Sequence, residues 1–491
     1  MNVVNNSSWG LARSLWIWVI TASLTACTAV GPDYQPAPPD MPAHWTEKSG
    51  ASSATESTLS CWWTLFHDPL LNGLITRAVA ANLDLRLAET RVREARAQRR
   101  LTASASFPSL GASGSYTNSR SSENIPSGGV SEDLFRAGFD AGWEIDVFGG
   151  SRRQIEAADA AIAASVEDRR GVLVTLEAEV ARNYLELRAS QKRLAIARDN
   201  IRIQEQTAAL VRNKFEIGFG GELEIAQAET QLALTRSEVP TLESTISQAM
   251  HQLALLLGQQ PQSLKAELTE VASIPAVPPL LPTTLPSDLL RQRPDIRAAE
   301  RQLAAATATV GAAVAELFPR FSLSALIGLQ STSLPDLVAT SSRFWSAGPV
   351  VQWSLFDGGR ARAAIALSKA RRDQAQALYE KTVLTALAET ENGLVAYARE
   401  QERHRILSEA VAAGQQALTL ARGQYAAGLT PFLNVLVSEN TLYQSQDTLT
   451  QSDQRLALDM VAIFKALGGG WQTEAITGPV QKNTQVARNT P

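Results

Sequence analysis

The sequence predicts an α+β membrane protein in which four short β-strands per chain are continued by very long α-helices. Three observations predict it: paired segments with period-two alternation, two helical stretches over 151–217 and 360–427, and an internal repeat at about 210 residues. Composition fits this class. The 491 residues are 45% apolar and 19% charged, so the chain is neither disordered nor collagen-like. Lys and Arg number 45 against 49 Asp and Glu; the net charge of -4 leaves no basic patch for nucleic acid. Two cysteines, Cys27 and Cys61, exclude a disulfide scaffold and a paired-cysteine zinc site. Four histidines, at 44, 67, 251 and 404, with no HExxH, argue against a histidine metal cluster. No nucleophile with its base and no phosphate loop stands out, so neither an enzyme nor a cofactor is expected.

The N-terminus reads as an export signal. Arg13 precedes an apolar run from Leu15 to Leu24, too short to span a membrane, and the run ends in Leu24-Thr25-Ala26-Cys27. The LTAC sequence resembles the bacterial lipobox, in which the signal is cut before the cysteine and the thiol receives a diacylglycerol. Cys27 would then be the mature N-terminus, with diacylglycerol and an N-acyl chain as its only attached groups and outer-membrane lipid as their partner. An ordinary secretory signal is the plainer alternative.

The repeat sets the domain organisation. Asp84, Arg86, Glu89, Phe107 and Pro108 recur as Asp295, Arg297, Glu300, Phe318 and Pro319. Gly149 and Gly150 recur at 358 and 359, Asn183 at 392, Gly218 at 428, Glu229 at 439, and Leu257-Gly258 at Leu467-Gly468. The expected order is a signal peptide over 1–26 and an anchor with an extended segment over 27–71. A first helix (72–104), a strand pair (105–149) and a long helical hairpin (150–258) follow. A Pro-rich linker over 259–286, with five prolines from Pro275 to Pro286, reads as a stiff connector. The second half repeats the succession as a helix over 287–317, begun by Ser287 as N-cap, a strand pair over 318–357 and a hairpin over 358–468. A polar tail over 469–491 closes the chain.

The strands are read from alternation. From Phe135 to Val147 the odd positions are Phe135, Ala137, Phe139, Ala141, Trp143, Ile145 and Val147, and the even ones include Arg136, Asp140, Glu144 and Asp146. Similar patterns run through Phe321 to Leu329 and Trp345 to Leu355, with a weaker one over Ser109 to Thr117. Alternation alone does not separate a membrane strand from a half-buried soluble sheet; the export signal and a length of about ten residues favour the membrane. Four strands cannot close a barrel, and an open edge is not tolerated in lipid, so the barrel must be shared between chains. Two chains would supply eight strands and a plugged interior; three would supply twelve and room for a pore.

Each strand pair ends in a Gly-Gly turn and opens a helical stretch that would extend about 100 Å if unbroken. The stretches end at Gly218-Phe219-Gly220-Gly221 and Gly428-Leu429-Thr430-Pro431 and return as further helices to Gly258 and Gly468. These are helical hairpins, rich in Ala, that could pack as coiled coils. A soluble rod-like coiled coil is the alternative, and it leaves the lipobox and the paired strands unexplained.

At this point a family resemblance appears. Gly31-Pro32-Asp33-Tyr34 with Pro36, then Trp63, Phe66, Asp68 and Leu70, LPSDLLRQRPDIRAAERQL at 285–303, FPRFSLSALIG at 318–328 and AGLTPFLNVLVSENTLYQSQ at 427–446 together resemble the TolC-like outer-membrane factors. In particular they resemble the lipoprotein branch that serves tripartite efflux systems of the RND type. The resemblance implies a homotrimer with a twelve-stranded β-barrel in the outer membrane and a long periplasmic α-helical barrel. It also implies a periplasmic adaptor (membrane fusion) protein docked at the hairpin tips, Gly218, Gly220, Gly221, Gly428, Leu429, Thr430 and Pro431. An RND-type inner-membrane transporter would supply the energy. Thr28, in place of an inner-membrane retention aspartate, is consistent with an outer-membrane destination.

The implied function is a passive export duct for small molecules; the outer-membrane duct of a type I protein secretion system is the alternative. Family members often carry acidic residues just past the second tip. This sequence has Asn434 and Val437 there, and its first repeat offers Glu224 and Gln227. Either Glu224 supplies acidity to a periplasmic gate, or closure depends on the bulk of Leu433, Leu436 or Val437. Four methionines, at 1, 41, 250 and 460, provide no thioether path for Cu(I). Cys27→Ala is expected to weaken outer-membrane anchoring without abolishing the trimer. Membrane fractionation with native gels checks this, and a variant that no longer trimerises would overturn it.

Overall fold

The computed structural model describes residues 29–36, 39–46, 59–126, 128–277 and 286–471. The expected signal over 1–26, Cys27, most of the 469–491 tail and part of the linker lie outside the described residues. The main elements are α1 (Pro69–Ala81), α2 (Leu83–Ser104), β1 (Ser109–Arg120), β2 (Ser131–Ile145), α3 (Gly150–Glu216), α4 (Glu222–Leu256), α5 (Pro294–Ala315), β3 (Arg320–Ser331), β4 (Arg343–Gln352), α6 (Arg360–Ala426) and α7 (Phe432–Ala466). The chain divides into two units, and α2, α3, α5 and α6 each contribute residues to both.

One unit comprises the described residues before 38 with Arg91–Val166 and Ala298–Glu380. It holds a four-stranded antiparallel sheet in the order β1-β2-β3-β4. The register puts Phe135, Ala137, Phe139, Ala141, Trp143 and Ile145 of β2 on the face of Phe321, Leu323, Ala325, Ile327 and Leu329. Arg136, Gly138, Asp140, Gly142 and Glu144 share the other face with Gln330, Gly328, Leu326, Ser324 and Ser322. One face is therefore aromatic and aliphatic, and the other is mostly small and polar, with Leu326 and, on β4, Phe344 and Val350 among its residues. The apolar face is open in the single chain: Ile327 is 62% and Trp345 78% exposed. Where the sheet meets the helices, Phe148 stacks on Phe318 at 4.5 Å between ring centroids, and Asp146 accepts from the Arg152 amide at 2.8 Å. Residues 29–34 dock here. The buried Arg153 guanidinium donates to the carbonyls of Ala29, Val30 and Gly31 and pairs with Asp33, and Tyr34 donates to Glu300 at 2.8 Å.

The other unit comprises the described residues of Pro39–Thr90, Glu167–Arg297 and Lys381–Pro491. Its core gathers Trp62, Phe66, Leu71, Leu74, Ile75, Tyr184, Leu253 and Phe464, with Trp62 stacked on Phe464 at 5.8 Å. Tyr184 donates to Asp68 at 2.5 Å, and the same carboxylate caps α1 through the amides of Leu70 and Leu71. Arg293 is a buried cation of this unit. It pairs with Asp295 at 2.7 Å and Glu389 at 2.8 Å and donates to the carbonyl of Ala466 at the end of α7. Trp471 lies against the guanidiniums of Arg170 and Arg297, 4.4 and 5.2 Å from its ring, and both arginines pair with Glu167.

The structure differs from the expected first helices at their starts. The helix expected over 72–104 is two, separated at Asn82, which is extended; its side chain accepts from the Leu85 amide and donates to the Leu256 carbonyl, each at 2.9 Å. The helix expected over 287–317 starts with a 3-10 turn at Pro286–Asp288 and a single turn at Leu289–Gln292, and α5 begins only at Pro294. Ser287 lies inside the first turn and is not the cap. Pro294 explains the break, because the residue before proline is driven out of the helical region, and Arg293 sits at φ -83, ψ 119. Cys61, a free thiol, precedes the 3-10 turn Trp62–Phe66 and is half-buried. No helix of the described residues is long and apolar enough to cross a membrane.

Asp459 on α7 is a strongly perturbed carboxylate. Burial, with Glu400 nearby and against the pull of Arg455, pushes it up to about 6, and its Oδ2 is buried without a hydrogen-bond partner. The folded state thus holds the Asp459 proton more tightly than the unfolded chain. That contribution is complete below the ordinary Asp value and is lost as pH rises through about 6. Asp459→Asn is expected to melt above the native protein at pH 8, by on the order of 2 kcal/mol, and to lose most of that advantage at pH 4.5. Thermal unfolding at both pH values checks this, and an equal difference at both would contradict it.

Candidate functional site

The candidate site is the turn end of the two helical hairpins. Both turns are made the same way. Helix α3 ends with the Gly218 amide bonded to the Phe215 carbonyl and the Phe219 amide to Lys214; α6 ends with Gly428 bonded to Tyr425 and Leu429 to Gln424. These paired bonds form a Schellman motif, whose penultimate residue must be left-handed, and Gly218 and Gly428 have φ of +82 and +74. Helix α4 then starts after Gly221 with Glu222 and Glu224 in its first turn, where carboxylates suit the helix dipole; α7 starts after Pro431 without acids. The turns present apolar side chains to solvent: Ile217, Phe219, Leu223, Leu429, Leu433 and Val437 are all exposed.

Behind the turns the four helices share one core of Ala208, Val211, Ala228, Leu418, Ala421, Tyr425, Phe432, Val435 and Leu442, with Ile225 and Leu436 against it. Tyr425 organises its outer end. Its hydroxyl donates to Glu224 Oε2 at 3.1 Å, its carbonyl accepts from Lys214 Nζ at 2.8 Å, and the Lys214 ammonium stands 4.0 Å from its ring centroid. Burial, reinforced by Glu224, pushes the phenol up to about 12, so it stays a neutral donor at physiological pH.

The predicted gate residues therefore separate. Glu224 is engaged by Tyr425, and Gln227 lines a groove of about 290 Å³ with Ala226, Thr230, Gln231 and Leu436. Asn434 donates to Thr430 of its own turn and does not meet Glu224, while Leu433 and Val437 point outward from α7. Of the tip residues, Gly218, Gly220, Gly221, Gly428, Leu429, Thr430 and Pro431 all lie in the two turns.

Two features escaped the sequence reading. One is Tyr425. The other is a repeated Arg–Glu link seventeen residues apart: Arg212 pairs with Glu229 across hairpin one, and Arg422 with Glu439 across hairpin two at 2.6 Å. The recurrence of Glu229 at 439 was the available signal; the matching Arg212 and Arg422 complete it. The two links sit in different surroundings. The Glu229 side chain is 51% exposed, whereas Glu439 is 2% exposed and also accepts from the Thr207 hydroxyl at 2.8 Å. Among the described residues no cluster of His, Cys, Asp and Glu could hold a metal ion.

Comparison with known proteins follows the same outline. A profile of the family described as outer membrane efflux protein matches residues 74–259 and 285–469. The cation efflux system protein CusC of Escherichia coli is 32% identical over 455 residues, covering 92% of this chain and 98% of that protein. The toluene efflux pump outer membrane protein TtgC of Pseudomonas putida is 31% identical over 494 residues, covering 98% of this chain and all of that one. Among solved structures, the outer-membrane channel OprN matches with a TM-score of 0.85 at 38% identity, over 90% of this chain and 99% of that chain.

The two Arg–Glu links give a paired expectation. Glu439→Ala removes the buried acceptor that Arg422 and Thr207 share, leaving Thr207 only the Ile203 carbonyl, and should destabilise by about 2 kcal/mol. Glu229→Ala, at a solvent-screened pair, should stay within about 0.5 kcal/mol of the native protein. Chemical denaturation of the purified variants checks the contrast, and equal losses would refute the burial argument.

Proposed function

This chain belongs to the outer membrane efflux protein family, and from that premise we propose the assembly and gate through which it works as the outer-membrane channel of a tripartite efflux pump. Three copies form a twelve-stranded barrel in the outer membrane, continued into the periplasm by a ring of the long helices. The observation that carries this reading is the four-stranded sheet with one exposed apolar face and two edges, β1 and β4, that have no partner strand among the described residues. In lipid those edge amides and carbonyls need partners, and β1 of one copy beside β4 of the next supplies them. Twelve strands leave an open lumen where eight would be filled by side chains. The small, polar face of the sheet then lines water and the aromatic face meets lipid.

An internal duplication accounts for the chain's plan. Helices α3 and α6 are each 67 residues, α4 and α7 each 35, and α2 and α5 each 22. The two copies correspond to the regions over 72–258 and 287–468, so each protomer contributes two hairpins to the ring.

Lipidation at Cys27 anchors the assembly, supported by the LTAC sequence and by the docking of residues 29–34 next to the sheet. The hairpin turns receive the adaptor, with Ile217, Phe219 and Leu429 as apolar contacts. For the gate the geometry favours apolar closure. Glu224 is already bonded to Tyr425, whereas Leu433 and Val437 stand free on α7 and gather in three copies near the axis. An inner-membrane transporter of the RND type supplies energy through the adaptor, and the channel itself is passive. The named relatives are efflux proteins, which supports small-molecule export over type I protein secretion.

The test is accumulation of a panel of fluorescent dyes, antibiotics and metal salts in a deletion strain, compared with the same strain complemented by native or Leu429→Glu protein. The native gene should lower accumulation several-fold for at least one compound, and Leu429→Glu should lose that rescue together with adaptor crosslinking. Unchanged accumulation with proteins missing from the culture medium would favour secretion instead.

A further inference from the structure

The small, polar face of the sheet carries one side-chain arrangement that the passive-duct reading does not use. Arg136 of β2 lies opposite Gln330 of β3 and donates to its Oε1 at 3.0 Å. Its guanidinium carbon stands 5.8 Å from the ring centroid of Phe344 on β4. The ring reaches Arg136 because the intervening residues are glycines. Gly138 and Gly328 are direct partners across β2 and β3, Gly328 is paired with Phe344, and a Cβ on Gly328 would come within 3.0 Å of Phe344 Cε1. The aromatic ring thus reaches across the glycines, half-buried, with the cation over its face.

Arg136 is exposed, and among the described residues no carboxylate lies within ion-pair distance of it. The acids on its own strand and face, Glu132 toward the loops and Asp140 toward the helices, each stand four residues away and therefore about 13 Å from it. An uncompensated guanidinium beside a flat aromatic face is the recognition chemistry for a planar anion: the fork binds a carboxylate or phosphate, and the neighbouring ring stacks on the aromatic part. Arg136, Gln330 and Phe344 sit toward the strand ends that carry the loops over 121–130 and 332–342, away from the helices. In the trimeric barrel, on which this inference rests, that end opens outside the cell, and three copies ring the lumen near its exit.

We propose that Arg136, Phe344 and Gln330 form a binding site for aromatic anions near the outer mouth of the lumen, reached from outside before Asp140 and Glu144. A solute of this class is held last as it leaves, and the same solute outside obstructs the channel.

The experiment uses the purified full-length trimer in a planar bilayer, with benzoate added on the side of the strand-connecting loops and acetate at equal ionic strength as the non-aromatic comparison. Benzoate is expected to reduce the current with a half-blocking concentration well below that of acetate. Arg136→Gln and Phe344→Ala should each raise that concentration about tenfold, the loss of one charge-assisted contact or one stacking face. Arg136→Lys, which keeps the charge and loses the planar fork, should fall between. Phe344→Leu, a gentler change beside the glycines, should weaken benzoate and leave acetate unchanged. A conducting trimer on which benzoate acts no better than acetate, or on which none of these variants matters, overturns the site alone. An inserted, trimeric protein that conducts no current overturns the open-barrel reading and the site with it.

Discussion

A four-stranded sheet in lipid cannot leave its edges bare, and most of this molecule follows from that requirement. The amides and carbonyls of β1 and β4 that face away from their only partner strands have no water to satisfy them in a bilayer. The described residues supply no further strand to pair with them. The aromatic face, with Trp345 and Ile327 exposed, makes the same demand from a second direction, because it needs an apolar medium. In the proposed assembly, pairing with further copies of the chain answers the first demand, lipid answers the second, and the polar, glycine-rich face is left for water.

Glycine recurs wherever the chain makes a close junction. The same Schellman ending used at Gly218 and Gly428 closes α4 and α7 at Gly258 and Gly468. A Cβ at Gly258 would lie 2.6 Å from the Ala81 carbonyl, and one at Gly468 would lie 2.7 Å from that of Gln292. These two glycines have positive φ and a backbone neighbour at once, so they serve both as helix terminators and as contact points. The residue after each contacted carbonyl, Asn82 in one half and Arg293 in the other, is extended and reaches across to a helix end, Leu256 or Ala466. Related positions thus do the same job with different side chains, an amide in one half and an ion-paired guanidinium in the other.

Fold elements were legible where they rest on local periodicity. Alternation located the strands because side chains in a strand point to opposite faces in turn, and the register carries Phe135 through Ile145 onto one face as that alternation requires. Glycine located the hairpin turns because few other residues accept a positive φ. Helix starts were less legible. Ser287 has the chemistry of a cap, yet Pro294, seven residues on, decides where α5 begins. The Asn82 break is invisible to periodicity, since the apolar pattern continues across it and the reason is a hydrogen bond to Leu256, 174 residues away.

By itself the sequence determined the elements: strands with one apolar and one polar face, and helices ended by glycine. The tertiary structure decided which of two equivalent side chains is buried and what each touches. Glu229 and Glu439 occupy matching positions and pair with matching arginines, but only Glu439 is enclosed with Thr207 by the packing of α3, α6 and α7. Tyr425 reads as an ordinary aromatic helix residue until Glu224 and Lys214 close on it from the other hairpin. Backbone conformation is set within a few residues and is written locally. Burial and partnership depend on which helix faces meet, and that is settled only when segments about two hundred residues apart pack together.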